Sequence, residues 1–103
     1  MNKTTLDEAF WTLKLMGVVR SEREFSMQVL KRSESYVRRL RFARKQPNCN
    51  VLAVCAEQLE RQAARIQSAD EIAGKQLNAL AKRCYDDIRR IAQRACAEGV
   101  ANE

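Results

Sequence analysis

The chain has 103 residues, with three Gly, one Pro, four Cys, no His and a net charge of +6. That length suits one small domain, and so few helix breakers with no long apolar run point to an all-α protein without a membrane span. Without His, a C-x-x-C pair or a Gly-rich phosphate loop, the chain offers no metal-ligand set, no cofactor cradle and no nucleophile–base pair, so no metal, cofactor or catalytic site is expected.

The N-terminus, "MNKTTLDEAF", carries no apolar core of signal-peptide type, which predicts a cytoplasmic protein whose cysteines stay reduced. Thr5-x-x-Glu8 has the spacing of a capping box and opens a first helix predicted over 6–16. Leu6, Phe10 and Leu13 line one stripe of it, Gly17 supplies a left-handed stop, and Trp11 and Leu15 fall off the stripe. Ser21-x-x-Glu24 repeats the capping spacing before a short helix at 22–30 with Phe25, Val29 and Leu30 inward. Ser33 is placed to cap a third helix at 34–44, with Tyr36, Val37 and Leu40 facing the core. Gln46-Pro47 ends that run, because the residue before proline is pushed out of the α region. Asn48 then caps a fourth helix carrying Val51, Leu52, Cys55, Ala56 and Leu59.

Beyond Leu59 the apolar positions Ala63, Ile66, Ala73, Leu77, Leu80, Cys84, Ile88, Ile91 and Ala95 step by threes and fours, the pattern of a helix-pairing seam. Ser68-x-x-Glu71 is a third capping spacing, and Asp70 interrupts the stripe. A turn near 67–70 is favoured there over one unbroken helix. Gly99 is a candidate stop for the last helix.

Charge is distributed unevenly. Residues 1–30 hold four basic and four acidic side chains, and residues 46–103 hold eight of each. The whole excess therefore sits in residues 31–45, with seven Lys or Arg and the single acid Glu34. A local surplus of this kind is what attraction to a phosphate backbone requires.

The run "SEREFSMQVLKRSESYVRRLRFARKQPNCNVLAVCAEQL" resembles the lambda-repressor-like, or XRE/Cro-type, helix-turn-helix family over residues 21–59. Ser21 and Glu22 stand where the family opens its second helix with Thr-Gln, and Phe25-Ser26 stand for Leu-Ala. Leu30 matches the leucine before the turn, Ser33 the cap of the recognition helix, and Val37 and Leu40 its buried face. Pro47 falls at the family's proline spacing, and Leu52, Ala56 and Leu59 match the helix that follows. The chain departs from the pattern at Lys31, where the family has the turn glycine, and by one residue added between Phe25 and Leu30. Glu22 replaces Gln, Arg41 replaces Glu, and Ala43 replaces Gly.

The resemblance implies a helix-turn-helix DNA-binding domain over residues 1–66, with 67–103 added as a helical oligomerisation segment. It implies a sequence-specific, double-stranded DNA-binding transcriptional regulator with the recognition helix in the major groove. Glu34, Ser35 and Arg38 are then the base readers. Lys31, Arg32, Tyr36, Arg39, Arg41, Arg44 and Lys45 position the fold on phosphates. A homodimer would set two recognition helices about 34 Å apart, and Leu77, Leu80, Cys84, Ile88 and Ile91 are the expected dimer interface, on a seam that is also expected to fold back in part over the N-terminal helices. Two other classes remain open: a small interaction module of antiactivator or antitoxin type that binds another regulatory protein, and a non-specific nucleic-acid-binding protein. The adjacent carboxylates Asp86 and Asp87 lie about 100° apart on a helix and do not converge on one site.

Overall fold

The computed structural model describes residues 4–98, and all regular structure among them is helical. The chain order is α1 Thr5–Leu15, α2 Glu22–Glu24 running into a π-helical turn at Phe25–Val29, α3 Tyr36–Ala43, α4 Cys49–Ile66 and α5 Glu71–Glu98. The expected stop at Gly99 lies outside the described residues. No helix among them is long and apolar enough to cross a membrane.

Helix α1 starts one residue earlier than its spacing predicts. Thr4, not Thr5, is the cap: its hydroxyl accepts from the Asp7 amide and Asp7 reaches back to the Thr4 amide. Thr5 is buried instead as the first residue of the helix, and its hydroxyl is turned to α5, where it donates to Asp87 at 2.6 Å. The helix ends as Gly17 allows. With φ +81° there, the Val18 amide bonds to the Leu13 carbonyl and the Gly17 amide to that of Lys14, the paired bonds of a Schellman stop.

The second helix explains the residue added between Phe25 and Leu30. Ser21 caps it through the Glu24 amide, and Glu24 in turn accepts from the Arg20 amide. From Phe25 the ladder widens: the Leu30 amide reaches back five residues to the Phe25 carbonyl at 3.0 Å. A π turn takes up one extra residue without rotating the helix on either side. Met27 and Gln28 are thereby pushed outward, while Phe25, Ser26, Val29 and Leu30 all stay buried. The chain then reverses through Lys31, which takes the left-handed conformation (φ 59°) where the related pattern has glycine. A side chain there costs about 1 kcal/mol.

Helix α3 is shorter than expected. Ser33 and Glu34 lie in the turn before it, and Ser35 is the half-in residue, without a side-chain cap. The Ser33 carbonyl accepts from the Tyr36 amide, and its hydroxyl accepts from Arg39 rather than from an amide. The capping oxygen comes instead from Ser26, fully buried on the π turn, which accepts from the Val37 amide at 3.2 Å. At the far end Arg44 is also left-handed (φ 55°), with the Lys45 amide bonded to the Leu40 carbonyl.

Asn48 caps α4 through the Val51 amide. The turn expected near 67–70 is present, but Asp70 makes it, accepting from the Ala73 amide; the Ser68-x-x-Glu71 box does not form. At Gly74 a Cβ would stand 3.2 Å from the Gln67 Cβ, which is how closely the returning helix passes the turn.

Helices α4 and α5 form an antiparallel hairpin, and α1 and the 19–37 segment close over it to make one core. Val51, Cys55 and Leu59 of α4 meet Leu77, Ala81 and Cys84 of α5, with Leu13, Phe25 and Leu30 from the N-terminal helices. This placement corrects the dimer-interface expectation. Leu77, Leu80 and Cys84 are buried inside the single chain, and Ile88 and Ile91 are partly buried against the same core. Leu77 and Cys84, fully buried against α4 of their own chain, offer no surface to a second copy. Residues 71–98 accordingly belong to the same packed unit as the N-terminal helices.

Candidate nucleic-acid interface

The surface in question is the turn after the π segment, the outer face of α3 and the loop that follows it. Its attachment is polar as well as apolar. Val37 is buried and Leu40 half-buried on the inner face, while Arg41 reaches across to Asp7 of α1 at 3.0 Å and to Glu22 of α2. Asp7 and Glu22 each lie in the first turn of their helices, so one guanidinium ties three helices together. Hydrogen bonds that the guanidinium donates to Asp7 and Glu22 raise the Arg41 pKa above its usual value. Burial pushes the Asp7 carboxyl up, but bonds from Arg41 and Thr4 outweigh it and hold Asp7 below the usual range.

Arg41 is therefore not a free phosphate ligand, and its assignment to that set is corrected. Its two departures from the related pattern also explain each other. Glu22 in place of Gln and Arg41 in place of Glu form an ion pair, a relation visible in the sequence only once both positions are known to face each other.

The other expected contacts sort by partner. Arg38 is exposed and its side chain has no intramolecular partner among the described residues; the same holds for the side chains of Lys31, Arg44 and Lys45. Arg39 donates to the Ser33 hydroxyl at 2.8 Å and stays on the outside. Arg32 lies over the Tyr36 ring, 5.7 Å from its centroid, so the half-buried tyrosine serves as a platform for a cation. Glu34, an expected base reader, pairs with Arg23 at 3.4 Å, an exposed contact of small energetic weight. Ser35 is half-buried at the helix start.

One group of cations escaped the sequence sums. Residues 82–94 contain five basic and two acidic side chains, hidden because the rest of the 46–103 segment is acidic. Helix α5 has 28 residues against 18 in α4, so it outruns its partner by about 15 Å and reaches past Asn48. Arg83, Arg90 and Arg94 there line a groove of about 990 Å³ whose other wall is the inner edge of α3 and the segment Arg44–Pro47. The basic surface is thus not confined to residues 31–45 in three dimensions.

Comparison with known proteins supplies a family and no more. No curated protein and no solved structure matches the chain. Residues 6–99 match the model of DUF6626, described as a family of unknown function, and the chain belongs to that family.

Proposed function

We propose that the chain is a DNA-binding regulator of helix-turn-helix type, with α3 as the element that enters the major groove. The observation that carries this reading is the coincidence of the net charge with a short, exposed helix held rigidly on its inner side. Seven of the nineteen Lys and Arg fall in residues 31–45. The Ser26 bond, the buried Val37 and the Arg41 clasp hold α3 against α1 and α2, while Arg38 and Arg39 project outward. A reader needs this combination, since a base-contacting side chain discriminates only when its backbone is held in place.

Within this reading the roles narrow. Arg38, in the first turn of α3, is the base reader, suited to the O6 and N7 of guanine. Glu34 and Ser35 precede the helix and flank it. Lys31, Arg32, Arg39, Arg44 and Lys45 meet phosphates, with Tyr36 backing Arg32. Two copies side by side remain part of the proposal, but they must meet elsewhere than the α4–α5 seam. Trp11 and Leu15, 44% and 85% exposed on one side of α1, are available for that contact.

Selection from random duplex oligonucleotides is the test. A recovered motif, with Arg38→Ala losing about 1–3 kcal/mol and its preference at one base pair, supports the reading. Logarithmic affinity should fall linearly with logarithmic salt, and Lys45→Ala should reduce that slope by about one without changing the motif. Equal binding to scrambled duplex, unchanged by Arg38→Ala, would reduce the protein to a non-specific binder. Absence of duplex binding at low salt ends the proposal.

A further inference from the structure

The groove between α3 and the overhanging end of α5 shares Arg44 and Lys45 with the DNA reading but has an apolar floor and an Arg94 that the reading does not use. Its floor is apolar, formed by Leu40, Pro47 and Ile91 over the buried Leu6, Val37 and Leu52. Three acids line it, and each already has a partner: Asp7 has Arg41, Asp86 has Lys82, and Asp87 has Arg90 and the Thr5 hydroxyl. Two further cations are also engaged, Arg83 with Glu8 and Arg90 with Asp87. The surplus falls on Arg44, Lys45 and Arg94, whose side chains have no hydrogen bond or ion pair among the described residues.

We propose that this groove binds a small anion with an apolar body, a carboxylate or phosphate monoester bearing a medium-length hydrocarbon chain. The volume lies at the upper end of the range for small-molecule sites, which pair an apolar lining with a few polar groups. The apolar floor accounts for the body of the ligand and the three unpaired cations for its head. Neither feature alone specifies this class. A free inorganic anion makes no use of Leu40 and Ile91, and a neutral hydrocarbon leaves the cations unanswered. A polynucleotide backbone has no apolar part to lay on the floor.

The groove's inner wall is α3 itself, through Val37, Leu40 and Arg41. A ligand seated there contacts the same helix whose outer face carries Arg38. If the DNA reading holds, the ligand is an effector of that reading; the binding step does not depend on it.

Calorimetric titration with decanoate, below its micellar concentration, tests the binding step directly. One saturable site is expected. Decanol, which has the body without the charge, and inorganic phosphate, which has the charge without the body, should each bind at least about tenfold more weakly. Decyl phosphate should bind like decanoate or better. Lys45→Ala combined with Arg94→Ala should weaken decanoate by about tenfold or more, the loss of charge-assisted bonds. Both side chains are exposed, so circular dichroism should show the variant folded.

No decanoate binding, or binding that the double variant leaves unchanged, overturns the site. Decanol equal to decanoate reduces it to an apolar patch, and phosphate equal to decanoate to a plain anion site; either result also overturns the proposal. Binding of an acidic amphipathic peptide that the double variant weakens, with no affinity for decanoate, would overturn the proposal and assign the groove to a protein partner. A parallel duplex-binding assay separates the two proposals, since decanoate binding without DNA binding sinks only the first.

Discussion

Single side chains decide how α3 is mounted. Ser26 is fully buried, and its hydroxyl answers an amide in the first turn of α3 that has no other partner. Ser26→Ala removes the acceptor without opening space, and should cost about 1–2 kcal/mol in a urea titration. A Gly at this position would confound the result with backbone entropy, so alanine is the cleaner variant. Asp7 makes a second, titratable attachment. Its folded pKa lies below the ordinary 3.8, so the contact contributes stability above that value and loses it as pH falls through the folded pKa. Thermal melts below about pH 4 should therefore lose less in Asp7→Asn than in the parent, because the variant has already given up the contact. The Arg41 guanidinium is about half exposed, which keeps the effect to about 1 kcal/mol or less. Burial and contact have a different consequence at Cys55, whose thiol is held above its usual pKa by the neighbouring Cys84 thiol and by burial in the core. Both are core thiols of the α4–α5 hairpin, as their spacing on the apolar stripe implies.

At the scale of elements, the π turn is the feature with the clearest test. A one-residue insertion into an α-helix either rotates everything beyond it by about 100° or is absorbed locally as a wide turn. Here the wide turn keeps Val29 and Leu30 in the core and presents Ser26 to α3. Deleting Gln28, which is exposed, should restore an ordinary α ladder and leave a cooperatively folding protein, its melting temperature within a few degrees of the parent. Deleting Glu57 from the middle of α4 offers no such local remedy. It shifts Leu59 and Ala63 off the core face and should abolish cooperative unfolding. The sequence disclosed the extra residue by its spacing against the related pattern. It did not disclose whether the helix would lengthen, shift or widen, because that depends on which inward contacts are retained across the insertion.

At the scale of the whole molecule, the apolar seam of α5 is intramolecular. Leu77 is fully buried against α4, so Leu77→Ala should cost about 2–4 kcal/mol. That loss should not vary with protein concentration in denaturant titrations, whereas an interface residue would show a concentration-dependent midpoint. The same packing explains the overhang of α5 and the meeting of Arg90 and Arg94 with Arg44 and Lys45 across the groove. These cations are nearly fifty residues apart in the chain, and the segments between them sum to no net charge. Summation along the chain therefore reports the basic patch at 31–45 but not its continuation.

The sequence by itself determined the all-α class, the bounds of the first four helices and the start of the fifth to within a residue or two, the turn near residue 70 and the concentration of charge beside Arg38. Each of these rests on local physics: capping spacings, a glycine or proline stop, the 3.6-residue apolar period, and counts of charge. Tertiary structure alone decided which oxygen caps α3, which arginine leaves the phosphate-facing set, and what the α5 seam packs against. In each case several groups of the right chemistry compete for one partner. Ser33 yields to Ser26 because Ser26 is held rigidly in the core beside the Val37 amide. Arg41 turns inward because Asp7 and Glu22 reach it from two other helices. The seam closes on α4 because a short turn brings its own chain there first, at an effective concentration that a second molecule does not match.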